Sequence, residues 1–239
     1  MNKEKIALVT GVTRETGLGL ETARQLQELG FMVIVTGRDF LKVVELAGES
    51  PLLPMDIDIS NDEGINITAA TVKKVYGKLD VLINNAAGYF DQHGTLLSTD
   101  MRYVQEAFNT NVLGALRTTK AFLPLLKKSP QGRIVNVSSS AGTFTDPVFG
   151  MPFHPANVPV YSITKLALNG LTVKLARELK ETNIKINAVC PGFVATWPGT
   201  AELGARPVSE GAKGIVWAAT LGPDGPSGGF FRDGQPVPW

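Results

Sequence analysis

Short apolar runs alternate along this chain with longer stretches in which apolar residues recur every three or four positions. The runs are IALVT (6–10), FMVIVT (31–36), LLPMDI (52–57), LDVLIN (79–84), RIVNVS (133–138) and IKINAVC (184–190). Most are rich in β-branched residues and lack clean alternation, the pattern of strands covered on both faces in a parallel sheet. The stretches between them read as helices. Leu20, Ala23, Gln27 and Gly30 share one face, as do Val104, Phe108, Val112 and Ala115, while Leu168, Leu171, Leu175 and Leu179 make the cleanest stripe. Helices are expected near 102–127 and 160–181, another over FLKVVELA, and Gly30 stands where a helix-ending glycine belongs. Repeated strand-then-helix units imply right-handed crossovers and a doubly wound α/β sheet flanked by helices. No repeat or linker divides residues 1–239, so a single domain is expected.

Two stretches depart from this rhythm. Residues 142–159, GTFTDPVFGMPFHPANVP, carry four prolines and several large apolar side chains, and read as an ordered loop. Such a loop is either a substrate lid or packing for the neighbouring surface. The tail, GPDGPSGGFFRDGQPVPW, is rich in turn residues around one short run, GFF, that suits a last strand. Composition removes several function classes. Twenty-three basic residues nearly cancel 22 acidic ones, so no overall field draws in nucleic acid or an anionic membrane. The start, MNKEKIALVTG, is too short in apolar residues for a signal-peptide core or a membrane span, which suggests a cytoplasmic protein. The one cysteine, Cys190, permits no internal disulfide, reads as core, and no metal site is expected.

The stretch VTGVTRETGLGLE, residues 9–21, places Gly11, Gly17 and Gly19 between the first strand and the first helix. That is where an open parallel sheet binds a dinucleotide, with free helix N–H groups facing phosphate. Gly11 is expected to permit the turn, Gly17 to admit the pyrophosphate, and Gly19 to let helix and strand pack closely. Five residues separate Gly11 from Gly17, two more than in the usual turn. The added loop closure costs only about 0.5 kcal/mol. Removing Glu15-Thr16 restores standard spacing, so the excess is expected to bulge outward beside Arg14. After the second strand comes VTGRD, where Gly37 takes the place of the carboxylate that binds an NAD ribose and Arg38 follows. A guanidinium without that carboxylate favours a 2′-phosphate and hence NADP(H). Asp39 is a ribose ligand on a shifted register, or else the N-cap of the next helix.

The helix that carries the leucine stripe opens with YSITK, so Tyr161 and Lys165 lie one turn apart on one face. Proton exchange near neutrality requires a tyrosine shifted by about three units, or ~4 kcal/mol. One positive charge ~4 Å away supplies about that at an effective dielectric of 20. The same pair also suits an ordinary surface helix. VNVSSSAG puts Ser138, Ser139 and Ser140 just past a buried strand, where a hydroxyl can meet a carbonyl oxygen or simply cap a turn. Asn111, in NTNVLGA, is a mid-helix asparagine that either faces solvent or bends the backbone and holds a water.

Taken together, TGVTRETGLG, TGRD, DIS at 58–60, NNAAG at 84–88, NTNV at 109–112, VNVSSSAG, YSITK and NAVCPGFVAT resemble the short-chain dehydrogenase/reductase family over nearly the whole chain, with a carbonyl-reductase-like tail. The resemblance implies a Rossmann-type fold and a catalytic tetrad. Tyr161 would be the proton donor in reduction and the base in oxidation. Lys165 would lower its pKa and hold the nicotinamide ribose, Ser139 would orient the carbonyl, and Asn111 would anchor a water linking Lys165 to solvent. Cofactor contacts would come from Gly11, Thr13, Arg14, Gly17, Leu18 and Gly19 in the first loop, from Arg38, and from Asp58 and Ile59 beside adenine. Asn85, Ala86 and Ala87 would line the crevice, and Pro191, Gly192, Val194 and Thr196 would meet the nicotinamide amide. Three departures from the family pattern stand out: the longer glycine loop, Ala87 in place of a usual glycine, and the 22 residues from Ser139 to Tyr161.

The expected function is NADPH-dependent reduction of a ketone or aldehyde, the partner being a small-molecule carbonyl or alcohol substrate of apolar or aromatic character. Phe144, Met151, Phe153, Phe193 and Trp197 are candidates for its pocket, or for ordinary packing. Oxidation of an alcohol at the same site and a nucleotide-sensing protein without turnover are the alternatives. No nucleic-acid or membrane partner is expected, and the helices near 102–127 and 160–181 offer faces for a homo-oligomer.

Overall fold

The computed structural model describes residues 4–91 and 94–239, so the charged start at 1–3 lies outside the described residues. Seven strands run parallel: β1 (Lys5–Val9), β2 (Phe31–Gly37), β3 (Leu53–Asp56), β4 (Val81–Asn84), β5 (Arg133–Val137), β6 (Lys185–Val189) and β7 (Phe230–Arg232). An eighth, β8 (Gln235–Pro236), returns antiparallel through Asp233-Gly234, both left-handed as a two-residue hairpin requires. The order is β3-β2-β1-β4-β5-β6-β7-β8. Chain direction therefore reverses its march between β1 and β4, the switch point at which a crevice opens beyond the carboxyl ends of the strands.

Helices cover both faces: α1 (Leu18–Glu28), α2 (Phe40–Ala47), α3 (Asp62–Tyr76), α4 (Met101–Phe108), α5 (Gly114–Leu126), α6 (Pro159–Glu178) and α7 (Val208–Ala219). Alternate residues of each central strand serve opposite cores. Ala7, Val9, Val33 and Val35 pack with Leu20, Leu26 and Ile215, while Ile6, Leu8, Ile34 and Leu82 pack with Ile65, Phe122 and Leu179. The absence of alternation in the sequence is the consequence: a strand apolar on both sides has no polar face to show. No described helix is long and apolar enough to cross a membrane.

One helix departs from expectation. The continuous helix near 102–127 is broken by a π-helical segment, Asn109–Leu113, between α4 and α5. The buried line runs along Ala107, Asn111, Gly114, Ala115 and Thr118, so Ala115 of the expected stripe is buried while Val104, Phe108 and Val112 are half-buried. Asn111 is buried rather than solvated.

Candidate functional site

The switch point is built by residues from both sides of it. Thr10 Oγ1 accepts from the Asn85 and Ala86 amides at 3.1 Å each. Asn85 Nδ2 donates to Thr10 O at 2.8 Å and to Gly11 O at 3.2 Å. Gly11 has φ +74°, and a Cβ there would fall 2.5 Å from Ala86 Cα, so both backbone shape and space demand glycine. At Gly19 the obstruction would be Asn85 Nδ2 at 2.6 Å, so this glycine admits the β4 loop as well as the helix. Ala87 is outside the left-handed region, so its replacement of a glycine carries no strain.

The two surplus residues of the glycine loop form an exposed turn, closed by the Gly17 amide donating to Arg14 O at 3.1 Å. Gly17 lies against Arg14 O, where a Cβ would sit at 2.9 Å. Thr16 Oγ1 reaches Thr196 O at 3.5 Å across the crevice. The Arg14 guanidinium stacks 4.0 Å over the Trp197 ring, and its buried Nη1 has no hydrogen-bond partner. A cation with a spare buried donor at this place fits an anionic ligand such as a coenzyme phosphate. Deleting Glu15-Thr16 is expected to leave nucleotide affinity within a few-fold, read by a coenzyme titration. Complete loss of binding would put those residues inside the cradle.

Arg38 is exposed just past β2. Burial pushes the nearby Asp58 carboxyl up, but hydrogen bonds from Ser60 and the Arg38 charge leave it below its ordinary value. Asp39 Oδ1 accepts the Lys42 amide at 3.1 Å, so it is the N-cap of α2. The Pro191–Thr196 segment is fastened by Arg206, whose Nε donates to Pro191 O at 2.8 Å and whose Nη2 pairs with Asp233 at 2.8 Å. Cys190 is buried, with Sγ 3.3 Å from both the amide and the hydroxyl of Ser140.

Ser139, Tyr161, Lys165 and Asn111 converge beside this crevice. Ser139 ends the turn after β5 and caps the short 3₁₀ segment that follows. Burial raises the Tyr161 phenol to about 12, with the Ser139 hydroxyl pulling the other way. Lys165 is buried, its Nζ 5.4 Å from the Tyr161 ring centroid and donating to Val137 O at 2.8 Å. Burial lowers this amine to about 8. The Lys165 amine is aimed at the Val137 carbonyl, and burial is the largest influence on the phenol. Asn111 accepts the Gly88 amide at 2.9 Å and donates to Gly88 O at 2.9 Å and Thr164 Oγ1 at 3.1 Å. Its side chain stitches the β4 loop to α6, leaving only spare acceptor capacity on Oδ1 for a water.

The wall around Tyr161 is only partly the one expected. Phe90 packs edge-on to Tyr161 with centroids 5.0 Å apart, His154 lies against Phe90 and Phe149, and Phe149 against Phe193 at 6.0 Å. Phe193 belongs to both sets. Phe90, Phe149 and His154 were not foreseen. Phe144 and Phe153 are largely exposed, and Trp197 serves Arg14. The 142–159 loop is ordered by Asp146, which accepts the Val148 and Phe149 amides and pairs with Arg232 at 3.0 Å.

A family model described as short chain dehydrogenase matches residues 5–203. The chain is a short-chain dehydrogenase/reductase. Membership makes it an oxidoreductase acting on CH–OH or C=O groups. This short-chain dehydrogenase/reductase is 34% identical over 236 residues to a short-chain dehydrogenase of Penicillium roqueforti, covering 91% of this chain and 89% of that one. It is 30% identical to a (+)-neomenthol dehydrogenase of Capsicum annuum, with 95% of each covered. Among solved structures, NADPH-bound carbonyl reductase from chicken fatty liver matches with a TM-score of 0.85 and 26% identity, over 99% of this chain and 100% of that one. A metagenomic short-chain oxidoreductase in complex with NADP matches at 0.75 and 28% identity, over 95% and 96%.

Proposed function

We propose that this chain is an NADPH-dependent reductase of ketones or aldehydes in which Tyr161 protonates the carbonyl oxygen. The observation that carries the reading is the grouping of the Tyr161 phenol, the Ser139 hydroxyl and the buried Lys165 amine beside the switch-point crevice. Burial makes this phenol a weaker acid than proton exchange near neutrality asks for, so the reading relies on the Lys165 charge to favour loss of its proton. Bound NADPH supplies the hydride for the carbonyl carbon. Ser139 orients the carbonyl by donating to its oxygen, and Lys165 holds the nicotinamide ribose and eases loss of the phenolic proton. Asn111 fixes the β4 loop against the helix that bears both residues.

The coenzyme cradle is Gly11, Thr13, Arg14, Gly17, Leu18 and Gly19, with Asn85, Ala86 and Ala87 opposite, Asp58 and Ile59 at the adenine, and Pro191, Gly192, Val194 and Thr196 at the amide. NADP(H)-bound structures of 26% and 28% identity support this assignment. Phe90, Phe149 and Phe193 favour an apolar or aromatic substrate, with the 142–159 loop as its outer wall. A panel of ketones and aldehydes, assayed with NADPH and NADH in parallel by the loss of reduced-nicotinamide absorbance, tests the reading. Turnover with NADPH is expected; a panel without turnover would overturn it.

Arg38 is assigned to the 2′-phosphate. Arg38→Asp is expected to weaken NADPH binding by about 10- to 100-fold, as loss of a charged hydrogen bond does, while sparing or improving NADH. An unchanged preference in coenzyme titrations would transfer that role to another residue.

A further inference from the structure

We infer that the segment Tyr89-Phe90-Asp91 is a positioning device for Tyr161, with Asp91 its principal residue; the inference rests on the reductase reading above. The start of α6 lacks a cap of its own. Its N-cap residue, Val158, makes no side-chain hydrogen bond, and Pro159 has no N–H to satisfy. The next two amides are answered from 69 and 70 residues away: Val160 donates to Asp91 Oδ2 at 2.9 Å and Tyr161 donates to Asp91 Oδ1 at 3.1 Å. A carboxylate at this end of a helix also meets the positive end of its dipole, and charge-assisted bonds are the stronger kind.

The neighbouring residues complete the device. Phe90 holds the phenol ring itself, edge-on at 5.0 Å and 74°. Tyr89 has φ 62°, one of three left-handed non-glycine residues among those described. Backbone strain of this kind persists where surrounding structure dictates it, and it gathers at functional sites. Here the surroundings are Tyr103, whose ring packs on Tyr89 at 5.3 Å, and Asn111, which grips Gly88 by both its amide and its carbonyl. Asn157 Nδ2 adds a bond to Gly94 O at 2.9 Å.

A local Ser or Asp at 158 would cap α6 equally well but would tie the helix only to its own loop. Asp91 instead ties the first turn, and the phenol on it, to the loop after β4 that lines the crevice through Asn85 and Ala86. The phenol and the crevice are thereby held in one frame. A displacement of about 1 Å between reacting groups costs on the order of 100-fold in rate.

The test compares Asp91→Ala and Asp91→Asn with the unaltered enzyme, using NADPH and 4-nitrobenzaldehyde together with the ketone panel. The alanine variant is expected to lose about 10- to 100-fold in kcat and in the single-turnover rate of NADPH oxidation. NADPH affinity and the number of NADPH sites per chain should stay within a few-fold. The asparagine variant keeps one acceptor and should fall between the two. Amide hydrogen exchange at Val160 and Tyr161 should accelerate in the alanine variant while the middle of α6 stays protected. Unchanged kcat, unchanged exchange at those amides, or a kcat loss fully accounted for by fewer NADPH sites overturns the proposal alone. An unaltered enzyme that reduces no carbonyl while exchange still responds to the substitution overturns the reductase reading, and the proposal with it.

Discussion

Tyr161→Phe is expected to reduce carbonyl-dependent NADPH oxidation by about a thousand-fold or more while leaving coenzyme affinity within a few-fold. General acid catalysis contributes roughly 10²- to 10⁴-fold, and the substitution removes the acid together with its hydrogen bond to Ser139. The ring survives, so the edge contact with Phe90 and the backbone bond to Asp91 remain available to hold α6 in place. Initial rates across the carbonyl panel, paired with an NADPH titration, make the measurement. A variant that turns over at the original rate would remove Tyr161 from the proposed role. A variant that loses the coenzyme as well would mean that the phenol supports binding, not proton transfer.

The second large effect is expected at Lys165. Lys165→Met keeps an unbranched chain of similar volume in the buried slot but removes the amine and its bond to Val137 O. Turnover is expected to fall by about 100-fold or more, because nothing else among the described groups at the site supplies a positive charge to the phenol as it loses its proton. The same substitution has a signature in stability. Lys165 titrates at about 8 in the folded protein against an ordinary 10.5, so between those values the unfolded chain binds a proton that the folded one does not. Unfolding free energy therefore rises with pH across that window, by on the order of 3 kcal/mol for this group. Its contribution is present above 10.5 and is lost as pH falls through 8. Tyr161 has the opposite sign: raised to about 12 from 10, it contributes fully below 10 and loses that contribution as pH climbs through 12. Denaturant titrations of the two proteins from pH 7 to pH 11 should show the gain in the unaltered protein and its absence in the variant. Parallel curves would contradict the assignment of a strongly desolvated amine.

The sheet was legible because its physics is local. A strand buried on both faces is mostly apolar, and β1, β2, β4, β5 and β6 each announce themselves that way, with Asn84, Arg133, Asn136 and Asn187 among the buried polar exceptions. Boundaries moved by a residue or two, as terminal hydrogen bonds decide them. Tyr161, Lys165, Ser139 and Asn111, the residues proposed to react, come from the family resemblance carried by the order and spacing of the motifs. What spacing does not reveal is a partner brought from far away. Asp91 lies in no motif, and its importance follows only from where the fold sets the β4 loop. The one hint was negative: VPV before YSITK offers no Ser, Thr, Asp or Asn to cap the helix, so a cap had to come from elsewhere. The π segment at Asn109–Leu113 was hidden for a related reason, since apolar spacing of four reads equally well as an unbroken helix. Desolvation was likewise beyond reach. A Tyr–Lys pair on one face says nothing about how deeply both are buried, and burial is what raises the phenol here.

The decisive measurement is a single turnover. Enzyme loaded with NADPH, mixed with an excess of an aromatic aldehyde or ketone in ordinary and in heavy water, reports hydride loss and proton delivery together. The account predicts consumption of one NADPH per chain, slower in heavy water, with both the turnover and the solvent effect gone in Tyr161→Phe. A burst of equal rate in the Tyr161→Phe protein, or no NADPH consumption with any carbonyl, would contradict it.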